Sequence, residues 1–400
     1  MFQTSPISQR VARVEESATL AIDAKAKALK ASGVDVIGFG AGEPDFPTPE
    51  FIVDAAVKAA RDPKNHKYTP AVGLLELREA ISTKTLRDSK VEVSPNQIIV
   101  TNGGKHAIFN TVLTLVDEGD EVLIPSPFWT TYPELVKLAG GTPVQVPTTY
   151  EMGYKVTPEL LERYVTGKTK LFIHVSPSNP TGALYSKDET KALGEYLLQK
   201  NIFVMTDEIY EHLTYDGLTS MSLLEAVPEL QEKTVIVNGV AKTYAMTGWR
   251  IGWMISPPEI HKAASNLQSQ VTSNISNVSQ RAAQAALEAD LSCVVEMRNA
   301  FNRRRKAMVS MLSEVEGVKT LMPEGAFYVF PEVSGVFGRE IAGKKINSSM
   351  DLTEVILDQA KVAVVPGEAF GAPGHLRLSY ALSDESLVEG LERIQKLLGS

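Results

Sequence analysis

Short apolar runs rich in β-branched residues alternate with longer stretches of helical period between about Val53 and Arg303. Such runs are typical of buried strands, and the alternation predicts strand–helix units around a mostly parallel sheet. Strands are predicted at residues 97–101, 121–124, 171–175, 202–206, 235–238 and 251–255. We therefore expect an α/β fold in this part of the chain.

The pattern changes after Arg303. Strands are predicted at 326–330, 362–365 and 376–380, and helices near 351–360 and 384–398. A long helical period from Val278 to Leu312 would connect this part to the sheet before it. The pattern predicts a second, smaller α+β domain, and the cleft between two domains is a common place for a ligand site.

Composition narrows the class of protein. With 44% hydrophobic and 22% charged residues over 400 positions, the chain fits an ordinary globular protein. The formal net charge of -8 argues against nucleic-acid binding, and the basic run at 303–306 lies in a helical pattern that favours a solvated helix face. A single cysteine, Cys293, excludes an internal disulfide.

Targeting signals are not recognised in the sequence. The first residues, MFQTSPISQR, lack the basic and apolar regions of a secretory signal. Charged or polar residues interrupt every apolar run before the roughly 20 residues that a membrane span needs. We expect a cytoplasmic protein with no membrane span, and no metal site is predicted.

Glycine-rich segments come first among the candidate ligand sites, because ligands of open α/β sheets collect at the carboxyl ends of strands. Residues 102–105 (NGGK) follow a predicted strand and suit a phosphate at a helix start, although a plain tight turn fits them equally. They do not form a P-loop, because His106 stands where Ser or Thr is required. Residues 38–42 (GFGAG) lack the spacing of a dinucleotide-binding loop, so we reject a Rossmann interpretation.

Four further segments carry candidate chemistry. Residues 178–182 (SNPTG) and 207–210 (DEIY) follow predicted strands, and taken alone they fit a polar turn and a helix N-cap. Residues 242–250 (KTYAMTGWR) alone fit a loop with an exposed Lys and Arg. Arg377 lies in an apolar strand within LRLSYA, which indicates a buried anionic partner.

In their order and spacing these segments resemble the class I pyridoxal-phosphate-dependent aminotransferases of fold type I. The resemblance extends from residues 41–46 (AGEPDF) to Ala381. Within the family, the chain most resembles bacterial aspartate aminotransferases of the branch that includes aspartate/prephenate aminotransferases. It implies a mostly parallel seven-stranded sheet flanked by helices. It also implies a large domain over residues 50–300 that binds pyridoxal 5′-phosphate, and a smaller α+β domain from residues 1–49 and 301–400.

The resemblance assigns the cofactor residues. Lys242 matches the lysine that links covalently to the cofactor, and a lysine near cationic or desolvating neighbours has the lowered pKa that this chemistry needs. Asp207 matches the carboxylate that pairs with the pyridinium nitrogen. The other matches are Tyr210 and Asn179 at the phenolic oxygen, Arg250, Gly104 and Lys105 at the phosphate, Trp129 on the ring face, and Tyr68, which would reach the phosphate of a neighbouring subunit. A homodimer with shared active sites is therefore implied.

The resemblance also assigns substrate residues. Arg377 matches the fork that binds the α-carboxylate, with Gly42, Trp129 and Asn179 beside it. Ser17, Thr19 and Lys105 are similar to the residues that hold a distal carboxylate in this branch, which favours a dicarboxylic substrate. Members that accept prephenate tend to carry a lysine where this chain has Glu15, and a carboxylate there would repel that anion.

The implied activity is ping-pong transfer of an amino group from aspartate to 2-oxoglutarate. Three alternatives stay open at this point. The substrate could be an aromatic amino acid, alanine or prephenate; the chain could be a lyase on the same fold; or it could be a non-catalytic regulator that binds the cofactor. The complete catalytic set and the absence of an appended DNA-binding segment argue against the regulator.

Overall fold

The computed structural model describes residues 6–399, apart from the side chain of Asp23. The α-helices are α1 (Ala18–Ala31), α2 (Glu50–Arg61), α3 (Leu75–Ser89), α4 (Gly104–Leu115), α5 (Thr131–Ala139), α6 (Pro158–Leu161), α7 (Lys187–Gln199), α8 (Leu223–Ala226), α9 (Pro258–Val271), α10 (Asn277–Glu288), α11 (Ser292–Ser313), α12 (Ser349–Val355) and α13 (Asp384–Leu398). The strands are β1 (Ile37–Gly38), β2 (Ile98–Asn102), β3 (Glu121–Ser126), β4 (Thr142–Pro147), β5 (Thr169–Val175), β6 (Phe203–Asp207), β7 (Thr234–Gly239), β8 (Ile251–Ile255), β9 (Tyr328–Val329), β10 (Glu340–Ile341), β11 (Lys344–Lys345), β12 (Val362–Ala363), β13 (Val365–Pro366) and β14 (Leu376–Ser379).

The main sheet of the described residues has seven strands in the order β2-β8-β7-β6-β5-β3-β4. The pairs from β7 through to β4 are parallel. Strand β8 runs antiparallel to both of its neighbours, β2 and β7. The start of β8 therefore lies at the same edge as the carboxyl ends of the other strands. The predicted α/β fold with a mostly parallel sheet is confirmed.

Strand β4 is the member of this sheet that the sequence pattern does not predict. It lies at the edge, paired only with β3 within the described chain. Pro143 and Pro147 flank its two valines, Val144 and Val146, and Gln145 separates them. Proline lacks the N–H that a central strand needs, so two prolines in one short strand favour an edge position. With Gln145 they leave no continuous apolar run, so the sequence pattern does not predict this strand.

The helical period over Val278–Leu312 is two helices rather than the one predicted. Helix α10 ends at Glu288 and α11 begins at Ser292. Between them the Asp290 carboxylate accepts the Ser292 N–H at 2.9 Å. Asp side chains compete in this way for backbone N–H groups and start helices rather than continue them.

Smaller sheets lie beside the main one. Strands β13, β14 and β9 form an antiparallel sheet, and β1 pairs in parallel with β12. The predicted run 362–365 is thus divided between two sheets. The β1–β12 pair joins the N-terminal part of the chain to its C-terminal part. The division into domains 50–300 and 1–49 with 301–400 stays a prediction, and residues 1–5 and 400 lie outside the described residues.

Two hydrophobic clusters cover the two faces of the main sheet. In β3, Leu123 belongs to one cluster, whereas Val122 and Ile124 belong to the other. This alternation follows from the two-residue period of a strand. Helices α2, α3, α7, α10 and α11 contribute to the first cluster, and α4, α5 and α9 to the second. Because both faces of the sheet are covered, a ligand site is expected at the carboxyl ends of the strands. None of the described helices is long and apolar enough to span a membrane.

Candidate active site

A cavity of about 470 Å³ opens at the carboxyl ends of the main strands, a size that suits a cofactor with a small substrate. Residues from both ends of the chain line it together with the strand-end loops. All of the site residues predicted from the sequence except Tyr68 line this cavity, namely Ser17, Thr19, Gly42, Gly104, Lys105, Trp129, Asn179, Asp207, Tyr210, Lys242, Arg250 and Arg377. The Tyr68 side chain is 92% exposed and lies outside it.

Asp207 is the last residue of β6 and is buried. Its carboxylate accepts the Tyr132 hydroxyl at 2.8 Å and the Ile209 N–H at 3.2 Å. Burial raises the pKa of Asp207 above its ordinary value, while these two hydrogen bonds and the charge of Lys242 oppose the rise. Within residues 6–399 the carboxylate has hydrogen-bond donors but no ion pair. The carboxylate is therefore available to pair with a bound cation and to accept a hydrogen bond from it.

Lys242 lies in the connection between β7 and β8, and its ammonium group donates to the Gly42 carbonyl. Burial first, and then the charge of Arg377, lowers the pKa of Lys242 to about 8, against the opposing charges of Glu43 and Asp207. A primary amine with this pKa is partly neutral near pH 7, and the neutral form is the nucleophile. The side chain can therefore attack a carbonyl carbon in the cavity.

An anion cradle lies where α4 begins. Gly103 precedes the helix with a φ of +77°, and a Cβ there would lie 2.3 Å from Arg250 Nη2. A Cβ on Gly252 would lie 2.4 Å from the Gly104 amide nitrogen. The two glycines thus let a guanidinium group approach the N-terminus of a helix closely. Both carry positive potential, and the arrangement suits a phosphate.

The Arg250 guanidinium group donates only to backbone carbonyls in the described chain. Nη1 donates to the Thr247 carbonyl at 2.8 Å, and Nη2 donates to the Asn102 carbonyl at 3.2 Å. Desolvation lowers the pKa of Arg250 from its ordinary value, although an arginine keeps its charge at neutral pH. A cation held by neutral groups is a binding site for an anion from outside the chain.

Arg377 is almost fully buried in β14, at 2% exposure. Its Nη1 donates to Asn179 Oδ1 at 3.0 Å and its Nη2 to the Gly40 carbonyl at 2.8 Å, while Nε has no hydrogen-bond partner. The guanidinium carbon lies 4.5 Å from the centre of the Tyr328 ring. The anionic partner that the sequence indicates is not supplied by the described chain, so the fork is available to a bound carboxylate.

Ser17, Thr19 and Lys105 give the cavity a further polar part of its lining. The Ser17 and Thr19 hydroxyl oxygens lie 3.0 Å apart, and Lys105 Nζ lies 5.0 Å from the centre of the Trp129 ring. Burial, and then the charge of Arg250, lowers the pKa of Lys105. Lys105 and Arg377 both line the cavity, and two such cations suit a molecule with two acidic groups.

Two tyrosines in the cavity wall were not predicted as site residues. Tyr132 follows Trp129 by about one helical turn and donates to Asp207. Tyr328 lies in β9, and its hydroxyl oxygen is 3.0 Å from that of Tyr210. Tyr328 falls within the predicted strand 326–330, so its strand was foreseen, but pairing across the fold was needed to bring it to the cavity.

A second set of charged residues lies behind Asp207 and does not line the cavity. The Glu208 carboxylate accepts the Ser222 hydroxyl at 2.7 Å and the Thr206 hydroxyl at 3.3 Å. Glu211 accepts the Lys84 ammonium group and, at 2.8 Å, the Asn238 amide. Glu211 therefore ties α3 and the end of β7 to the turn that follows Asp207.

Comparison with known proteins identifies the family. Residues 34–394 match the family model described as aminotransferase class I and II. The chain belongs to that family. This aminotransferase is 58% identical to the aspartate aminotransferase of Streptomyces avermitilis, over 98% of this chain and 96% of the relative. It is 47% identical to a probable aspartate/prephenate aminotransferase of Aquifex aeolicus, over 98% of each chain.

The solved structures agree with the family assignment. The structure of the Thermus thermophilus aspartate aminotransferase with maleate matches this aminotransferase with a TM-score of 0.92 and 41% identity, over 99% of this chain and 100% of that one. The resemblance stated from the sequence motifs and the fold-type I architecture are therefore both confirmed. The roles of the individual site residues stay predictions.

Proposed function

We propose that this aminotransferase uses pyridoxal 5′-phosphate to transfer the amino group of aspartate to 2-oxoglutarate, giving oxaloacetate and glutamate. The observation that carries the proposal is the composition of the cavity. It combines Lys242, whose lowered pKa suits a nucleophile, with the Asp207 carboxylate and the cations Arg250 and Arg377. Among the side chains that the structure describes, none forms an ion pair with Asp207, Arg250 or Arg377. The aspartate aminotransferases to which the chain is similar support this substrate.

The cavity fits the cofactor at three points. Arg250 and the start of α4 suit its phosphate, because Gly103 leaves room for the close approach of the guanidinium group. Asp207 suits its ring nitrogen, and Lys242 suits its aldehyde carbon. Trp129 supplies a face for its ring. When bound, the cofactor supplies an aldehyde that accepts the amino group and a ring that withdraws electrons from the substrate Cα.

The protein residues supply the proton transfers. Lys242 Nζ would hold the cofactor, and as a free amine it would take the proton from the substrate Cα. The Asp207 carboxylate holds a proton at the ring nitrogen, and Tyr132 fixes the orientation of that carboxylate. Tyr210 and Asn179 bind the phenolic oxygen. The catalytic residues of the proposal are thus Lys242, Asp207 and Tyr210.

The two ends of the cavity would bind the two carboxylates of the substrate. Arg377 binds the α-carboxylate as a fork, and its Nε N–H has no hydrogen-bond partner in the structure. Ser17, Thr19 and Lys105 bind the distal carboxylate. Gly42 lies beside the Tyr328 hydroxyl, and a Cβ on it would lie 3.4 Å from that oxygen, so glycine leaves space for the substrate. The relative described with maleate supports a four-carbon diacid.

Prephenate is a second candidate substrate, because the Aquifex aeolicus relative carries that name. Glu15 Oε1 lies 3.8 Å from Lys137 Nζ, and the Glu15 N–H donates to the Glu134 carboxylate at 2.7 Å. These contacts hold a negative charge next to Ser17 and Lys105. That charge disfavours a larger anion, so aspartate is the preferred assignment.

The proposal includes a cytoplasmic homodimer with shared active sites. Tyr68 is 92% exposed, a large fraction for an aromatic side chain. Phe51, Val57 and Leu75 on α2 and α3 are also exposed, at 40%, 44% and 50%. A second copy of the chain would cover these apolar groups and would bring Tyr68 to the phosphate of its neighbour. Sedimentation of the purified protein tests the dimer.

The experiment that tests the proposed activity is a visible spectrum of the purified protein. We expect a band from the cofactor joined to Lys242, loss of that band on adding aspartate, and its return on adding 2-oxoglutarate. The Lys242→Ala variant should show none of these changes. If aspartate leaves the band unchanged, the substrate is an aromatic amino acid, alanine or prephenate. If aspartate removes the band and 2-oxoglutarate does not restore it, the result favours a lyase.

A further inference from the structure

Tyr210 and Tyr328 form a hydroxyl pair in the wall of the cavity. Their oxygen atoms lie 3.0 Å apart, and their rings meet edge to face at 6.0 Å between centroids. Both side chains are buried, at 4% and 1% exposure. Burial raises the pKa of each phenol, so both carry their proton at neutral pH. Because each has one proton, only one can donate across the gap.

The surroundings indicate which hydroxyl donates. The Arg377 guanidinium carbon lies 4.5 Å above the Tyr328 ring, and a positive charge over a phenol strengthens its O–H as a donor. Burial raises the pKa of Tyr210 well above its ordinary value, and the contact with Tyr328 raises it further, against a smaller opposing effect of the Arg377 charge. Burial also raises the pKa of Tyr328, but the Arg377 charge and the hydrogen bond to Tyr210 both lower it. Tyr210 is therefore the better acceptor and Tyr328 the better donor.

The register of the small sheet explains the arrangement. Strand β9 pairs antiparallel with β14, with Tyr328 opposite Ser379. Arg377 lies two residues earlier on β14, on the same face of that strand. The sheet thus holds the Tyr328 ring under the guanidinium group, while the Tyr328 hydroxyl lies against that of Tyr210, in the turn that follows β6.

We propose that Tyr328 is a positioning residue that donates its hydroxyl proton to Tyr210, so that the Tyr210 proton is directed at the phenolic oxygen of the cofactor. This inference rests on the proposed function, in which Tyr210 binds that oxygen. It adds Tyr328 to the site as a residue that acts through Tyr210 and does not itself touch the cofactor. Without Tyr328, the Tyr210 hydroxyl is free to rotate away and is a weaker donor, because a chain of hydrogen bonds polarises its members.

The test is a pH titration of the visible band of the holoenzyme without substrate. A donor at the phenolic oxygen draws negative charge from it, so the proton shared with the lysine nitrogen leaves at lower pH. Tyr328→Phe weakens that donor, and we expect the midpoint to rise by roughly 0.5 pH unit, the size expected for part of one hydrogen bond.

The matched control is Tyr380→Phe. Tyr380 is buried in the same aromatic cluster, and its hydroxyl donates to the Ala326 carbonyl at 3.1 Å. That carbonyl also accepts from Tyr215, so the substitution removes one hydrogen bond without touching Tyr210. We expect Tyr380→Phe to leave the midpoint unchanged, and thermal unfolding of both variants checks that their stability is similar.

A double variant tests whether Tyr328 acts through Tyr210. In a Tyr210→Phe background, Tyr328→Phe should produce no further shift, because the acceptor is gone. A shift of the same size in that background would overturn the inference, as would equal midpoints for wild type and Tyr328→Phe. A wild-type protein with no visible band would overturn the proposed function itself, and this inference with it.

Discussion

Glu208 should make the free energy of unfolding depend on pH. It is 5% exposed, and its carboxylate has the Ser222 and Thr206 hydroxyls as hydrogen-bond donors. Burial first, and then the charge of Glu211, raises the pKa of Glu208 from 4.5 to about 7. Between these pH values the unfolded carboxyl ionises while the folded one keeps its proton. The folded state then binds more protons, so its stability falls as pH rises.

The size of the effect follows from the pKa shift. Each pKa unit corresponds to about 1.4 kcal/mol, so this group lowers the free energy of unfolding by about 2 to 3 kcal/mol between pH 5 and pH 8. Glu208→Gln keeps an oxygen for the Ser222 hydroxyl and removes the titration. The variant should therefore gain stability relative to wild type by that amount as pH rises.

Equilibrium urea unfolding of both proteins at pH 5 and pH 8, at one fixed protein concentration, measures the difference. Glu229→Gln, a substitution of an exposed glutamate, controls for the loss of one negative charge. If the difference between Glu208→Gln and wild type is the same at both pH values, or falls with pH, the reasoning from burial is refuted.

Three further predictions concern the cavity. Gly103→Ala would place a Cβ 2.3 Å from Arg250 Nη2 at a φ of +77°. Cofactor affinity, measured by fluorescence titration, should therefore fall about tenfold or more. The control is Gly248→Ala, whose Cβ would have no described atom within 4 Å, and it should keep the wild-type affinity. Tyr132→Phe removes a hydrogen bond to a buried carboxylate, and the same titration should show a loss of about tenfold; equal affinity would contradict that role. Arg377→Lys loses the fork, so steady-state kinetics should show a KM for aspartate raised by about 100-fold, with the spectrum of the bound cofactor retained; an unchanged KM would remove Arg377 from the substrate site.

The sequence pattern predicts the main strands of the sheet because each is a short, continuous apolar run with both faces buried. It does not predict β4, which has two prolines and no continuous apolar run, and it overlooks the break between α10 and α11, where Asp290 accepts a backbone N–H. In both places the side chains that alter backbone hydrogen bonding leave no mark in the hydrophobic period.

The candidate site was largely predictable because its residues lie in short motifs at strand ends. Tyr132 and Tyr328 were not, because their roles depend on contacts made across the fold. Tyr132 reaches Asp207 across 75 positions of the chain, and Tyr328 reaches Tyr210 across 118. A motif encodes neighbours in sequence, whereas these hydrogen bonds depend on how the strands are ordered.

The antiparallel strand β8 makes Lys242 and Arg250, the proposed cofactor lysine and phosphate ligand, parts of one connection. Lys242 and Arg250 both lie between Gly239, where β7 ends, and Ile251, where β8 begins. The Thr48 hydroxyl donates to the Ala245 carbonyl at 2.7 Å and braces this connection from outside. An insertion here would change the distance along the chain between Lys242 and Arg250, while a substitution would leave that distance unchanged. Protein engineers who lengthen loops to alter specificity should therefore spare this one and work at the N-terminal wall of the cavity.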